Sequence, residues 1–277
     1  MRTIKTTLLA IGMASFISSC SYETIRVSDE VSTREYDFDN ITALTVATDF
    51  KAYVNFSETE EEVRIKANDN LFGKIDIYQD GGRLTVKLKN NINIKGKETL
   101  QLFITTTQIR DFRASSDAAI YLDSPLSAPN VSVDLSSDAY FEGDITTERF
   151  EFEASSDSDA DVFVDANRVN LNLSSSAKLV GEFQVNEVNA RLSSDSHADL
   201  IGNIRDLEAT LSSDSRFEDY GLVVDDLEIS LTADSDAYLT VNNTIDVEAN
   251  SDSRLFYKGD AEIIRQVLSS DGRVIKK

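Results

Sequence analysis

The chain has 277 residues, of which 41% are hydrophobic, while only 11 are glycine and two are proline. This composition is typical of a chain that buries a sizeable core rather than of a disordered one. The 27 basic and 49 acidic residues give a formal net charge of −22. Such a chain lacks the basic patch that binds a nucleic-acid backbone, and we do not expect it to dock directly on an anionic membrane surface.

Residues 1–20 have the pattern of a bacterial lipoprotein signal peptide. Arg2 and Lys5 precede an apolar stretch, 6–17, that is too short to cross a bilayer as a helix. The sequence Ile-Ser-Ser-Cys that follows at 17–20 resembles a lipobox, in which the cysteine is lipidated and becomes the first residue of the mature chain. Because Cys20 is the only cysteine, we predict lipidation of Cys20 and no intramolecular disulfide.

Residues 21–34 are polar and without periodicity, so the sequence predicts a tether there. Between 35 and 113, six short segments alternate apolar and polar residues, which favours strands. Their predicted bounds are Ile41–Ala47, Lys51–Phe56, Glu62–Ala67, Lys74–Tyr78, Arg83–Leu88 and Thr99–Ile104. A tight turn is predicted at Gly81-Gly82, and one helical turn at 68–72. We expect antiparallel hairpins that form an N-terminal β cap over the rest of the chain.

From 114 to 277 one phrase, Leu-Ser-Ser-Asp-Ser in its fullest form, recurs nine times, about every nineteen residues. The centre of each copy is called position 0, and is held by Asp117, Asp138, Asp157, Ser176, Asp195, Asp214, Asp234, Asp252 and Asp271. A fixed period of this kind indicates stacked structural repeats. The sequence therefore predicts an all-β solenoid of about nine parallel coils of roughly 19 residues each.

The pattern around position 0 predicts which side chains face the core. Positions −5, −3 and +3 are apolar in nearly every copy, and −1 and +1 are always Ser, Ala or Gly. Because these odd offsets share one face of an extended strand, we expect all five to point inward and positions 0 and +2 to face solvent. Turns between two strands of each coil are predicted near Gly143, Gly181, Gly202 and Gly221.

The phrase, the lipobox and the sequence from Tyr257 to Gly272 together resemble the bacterial envelope family named "putative auto-transporter adhesin, head GIN domain". The resemblance covers about 41–277, and it implies a right-handed parallel β-helix on the cell surface or in the envelope. Glycines of that family correspond to positions −1 and +1, where this chain keeps glycine only at Gly272. We expect both positions to need a small side chain rather than a positive φ.

The column of Asp residues has two interpretations. Carboxylates stacked about 4.8 Å apart in water would repel by roughly 0.9 kcal/mol per pair. Each Asp could bond the local backbone or a neighbouring Ser. Alternatively, calcium could bind where carboxylates cluster without a basic neighbour, around Asp138, Asp157 and Asp159. No other cofactor is predicted, and His197, the only histidine, is expected at the surface.

No catalytic residue is predicted, because a column of identical Asp residues does not create the separated pKa values that acid–base catalysis needs. We therefore expect a non-enzymatic lipoprotein of the cell envelope, held in the outer membrane by its N-terminal lipid. Its acidic Ser/Asp face would bind a glycan or a protein surface, for binding or adhesion. The alternative is a polysaccharide-active, pectinase-like β-helix enzyme, which would need basic residues and Asp residues converging in one cleft.

Overall fold

The computed structural model describes residues 23–277, so Cys20 and the predicted signal peptide lie outside the described residues. The described chain consists of strands and a single 3-10 helix, Asp69–Lys74, and none of it is a helix long and apolar enough to cross a membrane. The strands of the N-terminal part are β1 Glu23–Arg26, β2 Val31–Tyr36, β3 Ala43–Ala47, β4 Lys51–Phe56, β5 Glu62–Asn68, β6 Ile75–Asp80, β7 Arg83–Leu88, β8 Ile92–Lys95 and β9 Leu100–Thr106.

Two of these strands overturn the prediction of a tether at 21–34. β1 pairs in parallel with β8, and β2 pairs antiparallel with β5. Most side chains of both strands are exposed, so the segment carries no alternation of buried apolar residues for a sequence pattern to reveal. From residue 23 onward, the chain is therefore part of the cap.

The predicted antiparallel cap is confirmed. β6 and β7 form a hairpin around Gly81-Gly82, while β5 lies antiparallel between β2 and β9. Beneath this layer the pairing becomes parallel: β3 pairs in parallel with β7 and β10, and β4 pairs in parallel with β9 and β11. The coil geometry thus continues into the cap through β3 and β4.

The remaining strands build the stack of coils. They are β10 Asp111–Ser115, β11 Ala119–Leu122, β12 Leu126–Ser136, β13 Tyr140–Ala154, β14 Asp159–Leu173, β15 Lys178–Ser193, β16 His197–Ser212, β17 Arg216–Glu218, β18 Leu222–Leu231, β19 Asp236–Ala249, β20 Arg254–Lys258, β21 Glu262–Leu268 and β22 Arg273–Lys276. β13, β14, β15 and β16 pair in parallel with a shift of one repeat, which places Ala160 beside Leu179 and Leu179 beside Ala198. The predicted β-solenoid of about nine coils is confirmed.

A typical coil changes direction at two places. The first is the repeated phrase, and the second is a pair of adjacent outward residues, such as Asn167 and Arg168, where the alternation of buried and exposed positions shifts by one. The predicted turns near Gly143, Gly181 and Gly202 are wrong, because the alternation of buried and exposed positions continues unbroken through these residues, whereas the predicted turn near Gly221 is confirmed between β17 and β18. Glycine is needed at Gly181 for close approach, since an added Cβ would lie 2.4 Å from the carbonyl oxygen of Val162.

The repeated phrase is a corner, not a continuous strand. Positions −1 and 0 both have positive φ in all nine copies, as at Ser194 (55°) and Asp195 (61°). In several copies the N–H of +1 donates to the carbonyl oxygen of −2, for example Ala177 to Ser174 at 3.2 Å. These features define a two-residue turn of the type I′ class. Position −1 is consequently exposed, and the expectation that it points inward without a positive φ is wrong. Position +1 is buried as predicted in eight of the nine copies, and Gly272 in the last copy is partly exposed.

Candidate functional site

Stacking satisfies the backbone of the corners. The N–H of each position 0 donates to the carbonyl oxygen of position −1 in the next coil, as from Asp195 to Ser213 at 2.9 Å. This ladder starts in the cap, where Asp49 donates to Ser116 at 3.1 Å, and it ends with the bond from Asp252 to Ser270 at 3.0 Å. Asp suits position 0 because it tolerates the left-handed backbone better than most residues.

Buried hydroxyls at position +1 hold the corners from inside. The Ser196 hydroxyl is fully buried, accepts from the N–H of Ser193 at 3.0 Å and donates to the carbonyl oxygen of Leu173 in the preceding coil at 3.1 Å. Ser215, Ser235 and Ser253 repeat this arrangement. The described corner bonds therefore use backbone groups and the +1 hydroxyl rather than the Asp carboxylate, which stays exposed to solvent.

The three residues predicted to bind calcium lie on one side of two adjacent coils. Asp138 and Asp157 are exposed corner residues, and Asp159 begins β14, where its register neighbours are Tyr140 and Lys178. A basic residue thus stands beside this carboxylate on the next coil. Over residues 23–277, no group of three or more His, Cys, Asp or Glu side chains is arranged to hold a metal ion. Calcium binding by Asp138, Asp157 and Asp159 stays a prediction.

Acidic charge is concentrated in the middle of the stack. Residues 114–253 contain 30 acidic and 6 basic residues, a net charge of −24. Residues 23–113 contain 16 acidic and 13 basic residues, and residues 254–277 contain 3 acidic and 6 basic ones. The two ends of the described chain are therefore nearly balanced or basic, while the coils between them form an acidic surface.

An open groove of about 510 Å³ crosses four coils of this acidic region. Its walls are the outward positions +4 and +6 of successive coils, on either side of the backbone at position +5. Carboxylates and apolar side chains share these walls: Glu142, Asp144, Asp161, Phe163, Val180, Glu182, Asp199 and Ile201. Ile201 is 44% exposed, which is unusual for a large apolar residue of this protein. No Lys or Arg is among the residues that line the groove.

One carboxylate of the groove is held in place by a neighbouring phenol. The hydroxyl of Tyr140 donates to Oε2 of Glu142 at 3.1 Å. Burial, together with the hydrogen bond to Glu142 and the charge of that carboxylate, raises the pKa of Tyr140. The phenol therefore remains a donor at physiological pH and orients Glu142, which lies in register beside Asp161.

Aromatic ladders flank the acidic coils at both ends. Near the cap, Tyr53 stacks between Phe103 and Tyr121, with 5.3 Å between ring centroids on each side. Near the C-terminus, Tyr238 stacks on Phe256 at 4.7 Å. Because the ring faces cover one another, they offer edges rather than open platforms to a ligand. These ladders stabilise the stack and do not provide the exposed ring faces on which sugars pack.

Sequence reasoning identified the Asp column but missed the groove. The available signal was the content of positions +4 and +6, where Asp161 and Phe163, then Val180 and Glu182, then Asp199 and Ile201 exchange places from coil to coil. The groove forms only because the coils are in register, which brings these alternating pairs beside one another.

Several solved structures are similar to this chain, and three of them come from the genus Parabacteroides. Two proteins described as putative adhesins, from Parabacteroides merdae and Parabacteroides distasonis, both match with a TM-score of 0.70 at 15% and 14% identity. A protein of Parabacteroides distasonis described as a putative lipid binding protein matches with a TM-score of 0.63 at 13% identity. Each match covers 92% of this chain and 99% or 100% of the other. At these identities, they establish the fold alone.

No curated protein matches the sequence. Profile comparison, in contrast, matches two overlapping segments, residues 38–179 and 156–261, to one family, described as "putative auto-transporter adhesin, head GIN domain". Together these segments include most of the chain and nearly every coil. They also agree with the resemblance that the corner phrase carries. The chain therefore belongs to the "putative auto-transporter adhesin, head GIN domain" family.

Proposed function

We propose that this protein is a lipid-anchored binding or adhesion module of the bacterial cell envelope, and that it binds ligands that carry both cationic and apolar groups. The observation that carries this proposal is the groove at positions +4 and +6, in which carboxylates lie beside the exposed Ile201 and the partly exposed Phe163 and Val180. No catalytic step is part of the proposal. A polysaccharide-active enzyme would need basic residues beside the carboxylates, and the lining of the groove contains none.

The composition of the groove determines the class of ligand. Glu142 and Asp161 are register neighbours on adjacent coils, and two carboxylates about 4.8 Å apart repel by roughly 0.9 kcal/mol in water. A ligand amine or guanidinium would relieve this repulsion, and apolar ligand groups would cover Phe163 and Ile201. An extended basic segment of a partner protein meets both requirements. Electrostatic attraction by the −24 charge of residues 114–253 would also accelerate the encounter.

The position of the predicted anchor supports display of this surface. β1 starts three residues after Cys20 and belongs to the cap, so a lipid at Cys20 would hold the cap next to the membrane. Nine steps of about 4.8 Å separate the corner at Asp49 from the corner at Asp271, which gives a stack of roughly 43 Å. The groove would then stand away from the membrane, within reach of other envelope or cell-surface molecules.

Peptide binding tests the groove. The chain from Ser21 to Lys277 contains every described residue, and its affinity for a fluorescent eight-residue peptide of alternating Lys and Val can be measured by anisotropy at 50 and 200 mM NaCl. We expect Asp161→Asn/Asp199→Asn to weaken binding about tenfold and Ile201→Ser to weaken it about threefold. The matched control, Glu151→Gln/Glu153→Gln, removes two exposed carboxylates from another face of β13 and should change affinity less than twofold. Equal losses in groove and control variants would contradict the proposal.

Membrane partitioning tests the anchor separately. We expect the full-length protein to incorporate a labelled fatty acid and to enter the detergent phase, and Cys20→Ser to do neither. Lipid labelling that persists in Cys20→Ser would overturn the anchor and leave the groove proposal intact.

A further inference from the structure

The last coil has an outer edge that no strand covers. β21 pairs only with β19, and β22 pairs only with β20, among the strands of residues 23–277. The opposite end of the stack is different, because the antiparallel strands β2, β5 and β6 cover it. Unpaired N–H and C=O groups along an edge can pair with an extended segment of another chain.

β21 also presents apolar side chains to solvent. Six large hydrophobic residues of the described chain are strongly exposed, and three of them lie in this one strand: Ile264 at 61%, Val267 at 45% and Leu268 at 41%. Ile264 is the additional residue of a bulge, because Ile263 pairs with Ile245 and Arg265 already pairs with Asp246. Leu268 occupies position −3, which is buried in every other copy. The inward face of the final coil is thus partly uncovered.

Charge distinguishes this end from the rest of the stack. Residues 254–277 carry 6 basic and 3 acidic residues, a net charge of +3 against −24 for residues 114–253. Arg254 is paired with Asp236 at 2.8 Å, and Arg265 is paired with Asp246 at 2.9 Å and with Glu248. Within the described residues, Lys258, Arg273 and Lys277 make no salt bridge, and the ammonium groups of the two lysines lie over aromatic rings.

A protective edge explains only part of these features. Natural edges are blunted by lysines and bulges, and the charges of β22 and the bulge of β21 fit that purpose. The three exposed apolar side chains on β21 do not protect the edge, because they favour contact with another chain. Self-association through two such ends would bring two net positive charges together. The complementary partner is therefore an extended segment with apolar and acidic side chains.

We propose that the outer edge of β21 is a second docking surface, which binds an extended acidic and apolar segment of a partner protein as an added strand. Backbone pairing supplies the orientation, Ile264 and Val267 contact the apolar side chains of the segment, and Lys258, Arg273 and Lys277 attract its carboxylates. This surface and the groove recognise ligands of opposite charge.

A fluorescent eight-residue peptide of alternating Glu and Val is the probe, measured by anisotropy with the chain from Ser21 to Lys277 at 150 mM NaCl. We expect saturable binding that Ile264→Ser/Val267→Ser weakens at least tenfold. A version of the peptide with proline at its central position lacks an edge N–H, and should bind at least tenfold more weakly. Val31→Ser, which replaces an exposed valine of the cap, is the matched control and should change affinity less than twofold.

The alternating Lys and Val peptide completes the test, because its binding should be insensitive to Ile264→Ser/Val267→Ser. Absence of binding by the Glu and Val peptide, or equal binding by wild type and Ile264→Ser/Val267→Ser, would overturn the proposal. Sedimentation velocity at 5–200 µM should show a monomer. A dimer that Val267→Lys dissociates would assign the edge to a second copy of this chain instead. Circular dichroism melts of each variant verify folding, and Val267→Thr provides a milder substitution if Val267→Ser is unstable.

Discussion

The cap and the middle coils use the same coil with different surface charge. In the cap, Thr48 and Asp49 have φ values of 57° and 61° and form a corner between β3 and β4 with the geometry of the repeated phrase. Asp49 also starts the hydrogen-bonded ladder that continues through the repeats. Yet residues 23–113 have a net charge of −3, from 16 acidic and 13 basic residues, whereas residues 114–253 have a net charge of −24.

This difference in charge shows which features are needed to form a coil and which belong only to its surface. A coil forms in the cap with nearly balanced charge, so the acidic excess of the middle coils is not needed for the corner, the ladder or the core. Stacked carboxylates even oppose folding, by roughly 0.9 kcal/mol for each unscreened pair 4.8 Å apart. The excess is therefore available for solubility and for the ligand binding proposed above, and in the groove it lies beside the exposed Ile201 and the partly exposed Phe163.

The largest test of the shared coil is Phe50→Ala. Phe50 occupies position +1 of the cap corner and is fully buried where the repeats have Ser, Ala or Gly. Its truncation should leave a cavity and lower the free energy of unfolding by about 3–5 kcal/mol in urea melts. Phe163→Ala, in the wall of the groove, is the control and should cost less than about 1.5 kcal/mol. A loss below about 1 kcal/mol at Phe50 would mean that the cap corner is not part of the core.

Adjacent corner positions should respond differently to the same substitution. Ser196→Leu at position +1 inserts a large side chain into a fully buried site and removes the bonds to Ser193 and Leu173, so we expect a loss of about 2–4 kcal/mol. Ser194→Leu at the exposed position −1 should cost less than about 1 kcal/mol. Urea melts of both variants, with Ser196→Ala as the milder control, would measure the difference. Equal losses would place both side chains on the same face.

The nineteen-residue period was sufficient to predict the solenoid, because each coil must repeat its inward residues at the same offsets. The period did not predict the shape of the corner. The prediction extended the alternation of inward and outward residues through Ser194 and Asp195, which placed position −1 inside, but two residues with left-handed backbone interrupt that alternation. The cap corner was missed because Phe50 breaks the small-residue rule at +1, and because 68 residues separate Asp49 from Asp117. β2 was missed because its exposed side chains leave no apolar pattern.

The sequence predicted that the candidate site is acidic but not where on the coils it lies. A net charge of −22 was visible in composition and the Asp column in the repeats, so an acidic face was expected. The groove depends on the register of four coils, which sets Asp161 beside Glu142 and Val180 beside Asp199. Similarly, the exposure of Ile264 follows from a bulge that no spacing in the sequence indicates.

A smaller effect should appear at the junction of the cap and the repeats. Burial raises the pKa of Asp49 above its ordinary value of 3.8, and the charges of Asp117 and Glu98 add to the shift. Ionised Asp49 therefore destabilises the folded state above the raised pKa, and the penalty disappears below the unfolded pKa. Asp49→Asn should gain less than about 1 kcal/mol at pH 7 and nothing at pH 3.5.

Urea melts at the two pH values measure this gain, and Asn tolerates the positive φ of the corner. Asp111→Asn is the control in the cap. Asp111 is paired with Arg83, so removal of the Asp111 charge should destabilise the folded state. Destabilisation of the folded state by Asp49→Asn at pH 7 would contradict the assigned repulsion.

The smallest expected effect concerns calcium at Asp138, Asp157 and Asp159. Lys178 stands beside Asp159, so a cation there would compete with an ammonium group that is already part of the protein. A site with a Kd of about 1 mM would stabilise the fold by about 1 kcal/mol at 5 mM calcium, which corresponds to roughly 2–4 °C in Tm. We expect a Tm change of less than about 1 °C relative to sodium chloride at equal ionic strength, which controls for screening of the net charge.

A larger rise that Asp157→Asn/Asp159→Asn abolishes would establish the calcium site and make part of the Asp column a ligand set. A larger rise that survives this double substitution would place the ion elsewhere in the acidic coils, where the groove carboxylates Asp161 and Asp199 would be the next residues to replace.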